Sequence, residues 1–440
     1  MLVFATLIGL VAFANVEVVM NDRLPPDIAW YAGGLVLIAT ITHLFVRFFA
    51  KYADPVLLPC VFLLNGLGLV MIHRLDLSVG DGGAGMQFIW TMLGIVLFVL
   101  VLFFIRDHRT LRNFMYTAGA AGLLLLAIPA VLPDAMSEVN GAKLWIKIGG
   151  FSIQPGEFAK LLLLVFFAGY LVTKRDVLSL AGRRVLFIDL PRAKDLGPVL
   201  VAWLASLGVL VFERDLGSSL LFFGIFVAML YIATERVSWL IIGVLLFVGG
   251  AFLAYSLFSH VQLRVNIWLD PFKYPDEAGQ IIQGLYGLAH GGLTGTGLGQ
   301  GRPDLIPYAK SDYIFPSLGE ELGLAGVMAL LIVYMLIVAR GMRTALAVRD
   351  GFGKLLAAGL SISMGLQIFV VIGGVTKLIP LTGLTTPFLS QGGSSLVANW
   401  ALLALLLRIS DAARRPVGER AAADRGGDRK SEAATEVFTR

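Results

Sequence analysis

The sequence predicts an all-α polytopic membrane protein of about twelve transmembrane helices with one large extracytoplasmic loop. Three observations predict it. Hydrophobic residues make up 57% of the 440 positions and charged residues only 15%. An ordinary soluble domain carries about 25% charged residues, so a water-compatible surface cannot be assembled from this composition. The apolar residues also fall in long blocks rather than short core-sized runs, and lysine and arginine gather in the gaps between the blocks.

Crossing hydrocarbon roughly 30 Å thick takes about 17–25 mostly apolar residues. Windows of that character lie near 3–20, 28–49, 56–73, 87–105, 112–133, 157–173, 196–212, 217–233, 237–257, 314–339, 355–379 and 395–408. In lipid each must be a helix, because every backbone polar group needs a partner within the segment. The first window lacks a basic leader and a small-residue cleavage site, and reads as a retained span rather than a signal peptide. With the N-terminus inside, the inner loops hold sixteen lysines and arginines and the outer loops ten, four of those in one long loop. A further eight inner ones fall between Arg408 and Arg440. This charge bias predicts that both termini are cytoplasmic. Residues 411–440, poor in apolar side chains, read as a disordered cytoplasmic tail. The longest loop, 259–313, faces outward and carries prolines and a glycine cluster from Gly291 to Gly299, which suits an ordered loop.

Composition also excludes. The single cysteine, Cys60, permits no internal disulfide, and the five histidines show no metal-ligand spacing. The net charge of +5 comes from membrane-flanking loops, which argues against nucleic acid. No GxxxxGK[ST] stretch is present, so no nucleotide-phosphate loop is expected.

Ionisable residues at membrane depth are costly and mark functional candidates. Five clusters stand out, all placed on the outer side. Gln154-Pro155-Gly156-Glu157 opens the sixth span, with Lys160 one turn on; Glu157 and Lys160 share a helix face and can pair. A capped helix with a local ion pair is the plainer alternative. Glu213-Arg214-Asp215 opens the eighth span, where Asp215 also suits a helix cap. Glu320 and Glu321 lie just inside the tenth span on different faces, so at least one should face a cavity. Lys377 and the hydroxyl- and glycine-rich stretch through Ser394 form the last outer loop. The long loop contributes Asp270, Asp276 and Glu277 beside Arg264 and Lys273. Together they outline an outward cavity suited to a polar, anionic head group on a lipid.

These clusters resemble the SEDS family (shape, elongation, division and sporulation), most nearly its RodA type. The matching stretches are Trp145 to Lys160, Asp215 to Ser219, Gly295 to Gly299, Ser311 to Phe315, Gly319 to Gly323 and Pro380 to Ser395, in family order. The resemblance implies a glycosyltransferase that polymerises lipid II in the bacterial cytoplasmic membrane, partnered by a class B penicillin-binding protein. It also implies a ten-helix core over 51–410, with residues 1–50 as two additional helices. Carried over residue by residue, Glu157, Lys160 and Asp215 fall on family cavity residues. The family's loop aspartate is best matched by Asp276, which follows a proline here instead of preceding it; Asp270, before Pro271, is the alternative.

Such a reaction needs a base for the attacking hydroxyl, here Asp276, and positive charge for the departing diphosphate. Lys160 and Arg214 are the expected cations, with Mg²⁺ or Mn²⁺ on Asp215 or Glu157 as a further source. Glu320, Lys377 and Ser394 are the remaining expected substrate contacts. A flippase or other transporter of a lipid-linked precursor is the competing expectation, since it too would need many spans and buried charge.

Overall fold

The computed structural model describes residues 1–25, 28–139, 142–148, 151–179, 183–185, 188–190, 197, 200–201, 203–208 and 215–416. Among them, eleven helical segments are long and apolar enough to cross a membrane. They are α1 (Leu2–Asn21), α2 (Ile28–Phe49), α3 (Leu57–Val79), α4 (Gly83–Phe104) and α5 (Met115–Val131, entered through 3₁₀ turns at His108–Phe114). After these come α6 (Pro155–Ser179), α7 (Leu216–Thr234) and α8 (Ser238–Leu257). Two shorter helices, α9 (Ser259–Leu269) and α10 (Gly279–Gly291), lie in the long loop. The chain finishes with α11 (Ile314–Ala347), α12 (Gly351–Val375) and α13 (Gly393–Arg414). Short hairpins, Glu138–Val139 with Ala142–Lys143 and Ile146–Ile148 with Phe151–Ile153, precede α6.

Eleven of the twelve expected windows overlap these helices. The remaining one, 196–212, is only partly described; within it 203–208 are helical and Trp203 stacks on Phe226 with ring centroids 4.7 Å apart. Helices α6 and α7 both start at one cavity, with Glu157 and Asp215 in its wall, and near their other ends Arg175 meets Glu235 at 3.2 Å.

Helix α13 forms the centre and is the most buried span, whereas α2 and α8 turn most of their surface outward. Its Trp400 is fully buried, edge-on to Phe62, Phe98 and Phe388 at 5.8, 5.6 and 6.0 Å. Gly94 makes room for that indole: a Cβ there would lie 2.5 Å from Trp400 Cδ1. At the opposite end Arg408 donates to the carbonyls of Phe49 and Leu102, and Asp411 accepts from the Tyr52 N–H at 2.8 Å. Helix α13 therefore runs past the expected boundary at 410. Asp411 to Arg414 continue α13, because Asp411 is buried and bound; the rest of the expected disordered tail, from 417 on, lies outside the described residues.

The glycine cluster has a specific task. Helix α11 breaks at Gly323, whose backbone stands at φ 68°, and the break releases N–H groups from the helical ladder. Leu324 and Ala325 donate theirs to the carbonyls of Gly292 and Leu293, at 2.9 and 3.1 Å. In return the N–H groups of Thr296 and Gly297 donate to the carbonyls of Glu320 and Glu321, both at 3.0 Å. The backbones meet so closely that a Cβ on Gly295 would lie 2.2 Å from the Glu321 carbonyl oxygen. Glycine is required here by contact as well as by its φ of 80°.

Arg74 of α3 locks this junction. It donates to Glu321 Oε1 at 2.5 Å and to the Gly301 carbonyl at 2.6 Å, while Glu321 Oε2 accepts from the Gly299 N–H at 3.0 Å. Arg74 and Glu321 are both almost completely buried. Removing one partner of such a pair leaves an uncompensated charge, so Arg74→Ala should cost about 3–5 kcal/mol in a denaturant titration in detergent. Adding Glu321→Gln should recover part of that loss.

Candidate active site

Helix α6 opens on Pro155, whose missing N–H is no loss in a first turn, and Glu157 sits at the positive end of the helix. Lys160 donates to Glu157 Oε2 at 2.8 Å and to Gln367 Oε1 at 2.9 Å, and both ions are buried. Gln367, on α12, donates in turn to the Thr385 carbonyl at 3.0 Å. Lys160 thus stands behind Glu157 and ties α6 through α12 to the loop before α13.

Helix α7 opens on Asp215, whose carboxylate accepts from the Ser218 N–H at 2.8 Å as an N-cap. Gly217 lets this turn approach the loop before α13, since a Cβ there would lie 2.7 Å from the Thr382 carbonyl oxygen. Helix α9 buries Val261 and Ile267, and Arg264, three residues from each, shares their face. Its guanidinium feels the charges of Asp215 and Asp312. Nη1 of Arg264 is buried and has no hydrogen-bond partner among the described residues.

These elements enclose a cavity of about 430 Å³ at the long-loop end of the bundle. Its charged lining is Glu157, Asp215, Arg264, Glu277 and Asp312, joined by the amides of Gln154, Gln280 and Gln391. Burial pushes the Asp312 carboxyl up to about 6, against the opposing pull of Arg264.

Of the residues singled out from sequence, Glu157 and Asp215 share the cavity wall, and Lys160 sits directly behind it. The others stand elsewhere. Asp276 is exposed and outside the wall, although its neighbour Glu277 belongs to it. Asp270 is also outside it, paired with Lys273 at 2.9 Å, and that bond holds its carboxyl below the usual carboxylate range. Glu320 does not reach the cavity, because its carboxylate accepts from the Arg302 N–H at 2.7 Å within the glycine-loop junction. Lys377 is half-buried outside the cavity wall, and its carbonyl accepts from Trp268 Nε1 at 3.1 Å. Ser394 is buried, and its hydroxyl accepts from the Gln154 N–H at 2.8 Å, tying α13 to the start of α6. Arg214 lies outside the described residues.

Arg264 and Glu277 were noted only as members of the long-loop cluster, and Asp312 only as part of a motif, yet all three belong to the cavity wall. Arg264 did leave a signal, an arginine at helical spacing between two buried aliphatic residues. Asp312 sits inside a family motif but looked like an ordinary loop carboxylate.

Among the described residues no group of three His, Cys, Asp or Glu side chains converges as a metal site. Glu157 and Asp215 nevertheless share one wall, and Mg²⁺ commonly takes one or two carboxylates together with substrate phosphates. The donor set fits a divalent ion that arrives with a diphosphate.

The family model for FtsW, RodA and SpoVE cell cycle proteins matches residues 55–415. The chain belongs to the FtsW/RodA/SpoVE family. It is a multi-pass membrane protein, and α1 and α2 precede the part that the model describes. Peptidoglycan glycosyltransferase RodA of Mycobacterium tuberculosis is 52% identical over 427 residues, covering 96% of this chain and 91% of its own. A probable peptidoglycan glycosyltransferase FtsW of Geobacter metallireducens is 32% identical, covering 81% of this chain and 94% of its own. Among solved structures, a chain from a peptidoglycan synthase complex that coordinates polymerization and crosslinking aligns with a TM-score of 0.67 at 28% identity, covering 83% of this chain and 99% of its own. The rod shape determining protein RodA of Thermus thermophilus aligns with a TM-score of 0.57 at 27% identity, covering 83% and 98%.

Asp312 offers a pH test. Its carboxyl titrates higher in the folded protein than in the unfolded chain, so its contribution to stability is present at low pH and is lost as pH rises through about 6. The thermal midpoint in detergent should therefore fall between about pH 4 and 6 on this account and level off above, and Asp312→Asn should flatten that part of the profile.

Proposed function

We propose that this peptidoglycan glycosyltransferase polymerises lipid II into glycan strands at the outer face of the bacterial cytoplasmic membrane, releasing undecaprenyl diphosphate, with both of its termini in the cytoplasm. One observation carries the site: carboxylates and a guanidinium converge on a single cavity at one end of a membrane bundle. Family membership and the 52%-identical relatives named for this activity support the chemistry. The excess of lysine and arginine in the opposite loops supports the orientation.

Chain growth joins a sugar hydroxyl oxygen of one lipid II to the anomeric carbon of another. The bond from that carbon to the diphosphate breaks, its electron pair leaves on the diphosphate oxygen, and the hydroxyl proton passes to a carboxylate. Asp276 is the base we assign, on its motif position and on its place beside Glu277 at the cavity edge. Asp270 is the alternative, disfavoured because the Lys273 bond that lowers its pKa makes it a weaker base. Glu157 and Asp215 would hold Mg²⁺ or Mn²⁺, which would offset diphosphate charge when bound. Lys160, bonded to Glu157, holds that carboxylate in place. A class B penicillin-binding protein is the partner we assign, supported by the similarity to a chain from a synthase complex that couples polymerization to crosslinking.

The direct test supplies lipid II and a divalent metal to the purified protein, with and without such a partner, and resolves glycan ladders on a gel. Asp276→Ala should abolish the ladder while the thermal midpoint holds, and Asp270→Ala should reduce it less. Normal ladders from a folded Asp276→Ala variant would transfer the role to Asp270.

A further inference from the structure

The leaving diphosphate needs a cation, and most cations at this end of the bundle are committed elsewhere. Lys160 is held by Glu157 and Gln367, and Arg74 by Glu321 and Gly301. Lys310 is bound by Asp76 and Asp81, Arg302 by Asp304, and Lys273 by Asp270. Among the described residues, Arg264 is the lysine or arginine in the cavity wall. Its Nη1 is a buried donor with no partner among those residues, an arrangement that costs free energy unless an acceptor arrives. Its two charged neighbours, Asp215 and Asp312, explain how a guanidinium is kept there at all.

We infer that Arg264 receives the diphosphate of the isoprenyl-linked donor sugar, with Asp215 and Asp312 positioning its guanidinium before the donor arrives. This rests on the polymerase reading for its substrate, but its geometry is independent of turnover. A planar guanidinium can grip two phosphate oxygens at once, which a lysine ammonium cannot. As the bond from the anomeric carbon to oxygen breaks, charge grows on the oxygen that the Arg264 fork would hold, so its contribution is largest in the transition state.

The experiment uses the full chain in nanodiscs with Mg²⁺ and geranyl diphosphate as a soluble probe. Binding is read by titration, and turnover by the ladder assay. Arg264→Gln should weaken probe binding at least ~10-fold and lower kcat by ~100-fold with a smaller change in KM. Arg264→Lys should fall between, and Arg302→Gln, at an exposed ion pair, should match the parent. Unchanged probe affinity in Arg264→Gln would overturn the inference, even if turnover were lost. Should Arg264→Gln fail to fold, Arg264→Lys decides: a loss of several-fold supports the assignment and an unchanged affinity refutes it. A parent protein that binds the probe through Arg264 yet makes no glycan would refute the polymerase reading while leaving this assignment standing.

Discussion

The ion pair between Arg74 and Glu321 governs the long-loop end of the molecule. Helix α11 cannot stay continuous there, because Gly323 turns its backbone out of the helical ladder and exposes donors that nothing in lipid could satisfy. The glycine loop supplies the missing acceptors, and the arginine of α3 neutralises the glutamate that the same turn buries. Once this junction is fixed, the chain on either side has little freedom. Gly301 is tied to Arg74, Lys310 to Asp76 and Asp81, and the Lys310 carbonyl to the Gln391 N–H at 2.7 Å. Gln391 belongs to the cavity wall. A structural salt bridge outside the cavity thus determines the shape of the cavity.

Much of this was legible in the amino-acid sequence, and the unread part has identifiable causes. Apolar windows located the spans because lipid demands length and hydrophobicity of each one separately. Glu157 with Lys160 was legible because a three-residue spacing sets a shared helix face, and Asp215 because an aspartate before Leu216 and Gly217 reads as a cap. Glu320 misled for a physical reason: an acidic pair in a span looks like a cavity lining unless the break at Gly323 is known, and that break depends on a loop more than twenty residues earlier. Ser394 misled similarly, since its hydroxyl partner, the Gln154 N–H, is far away in sequence. Arg264 was noted within the long-loop cluster but given no role, because the face it shares with Val261 and Ile267 exists only once α9 has formed.

The distribution of charge also separates chemistry from transport. A carrier that alternates access places its ionisable groups where both sides can reach them, near the middle of the bilayer. Here the charged wall is built from helix starts and loop residues at one end, and Lys160, the deepest of the group, is already spoken for by two side chains. Such a site lies at one end of the bundle rather than at its middle.

Four helices begin at this wall. Glu157 and Asp215 mark the starts of α6 and α7, Gln280 lies in the first turn of α10, and Asp312 just precedes α11. Each start brings unpaired N–H groups and the positive end of a peptide dipole. Their sum is a built-in electrostatic background that no proton can titrate away. An acidic wall can on that account coexist with a doubly charged anionic guest, and the attraction persists across the pH range in which the individual carboxyls change state.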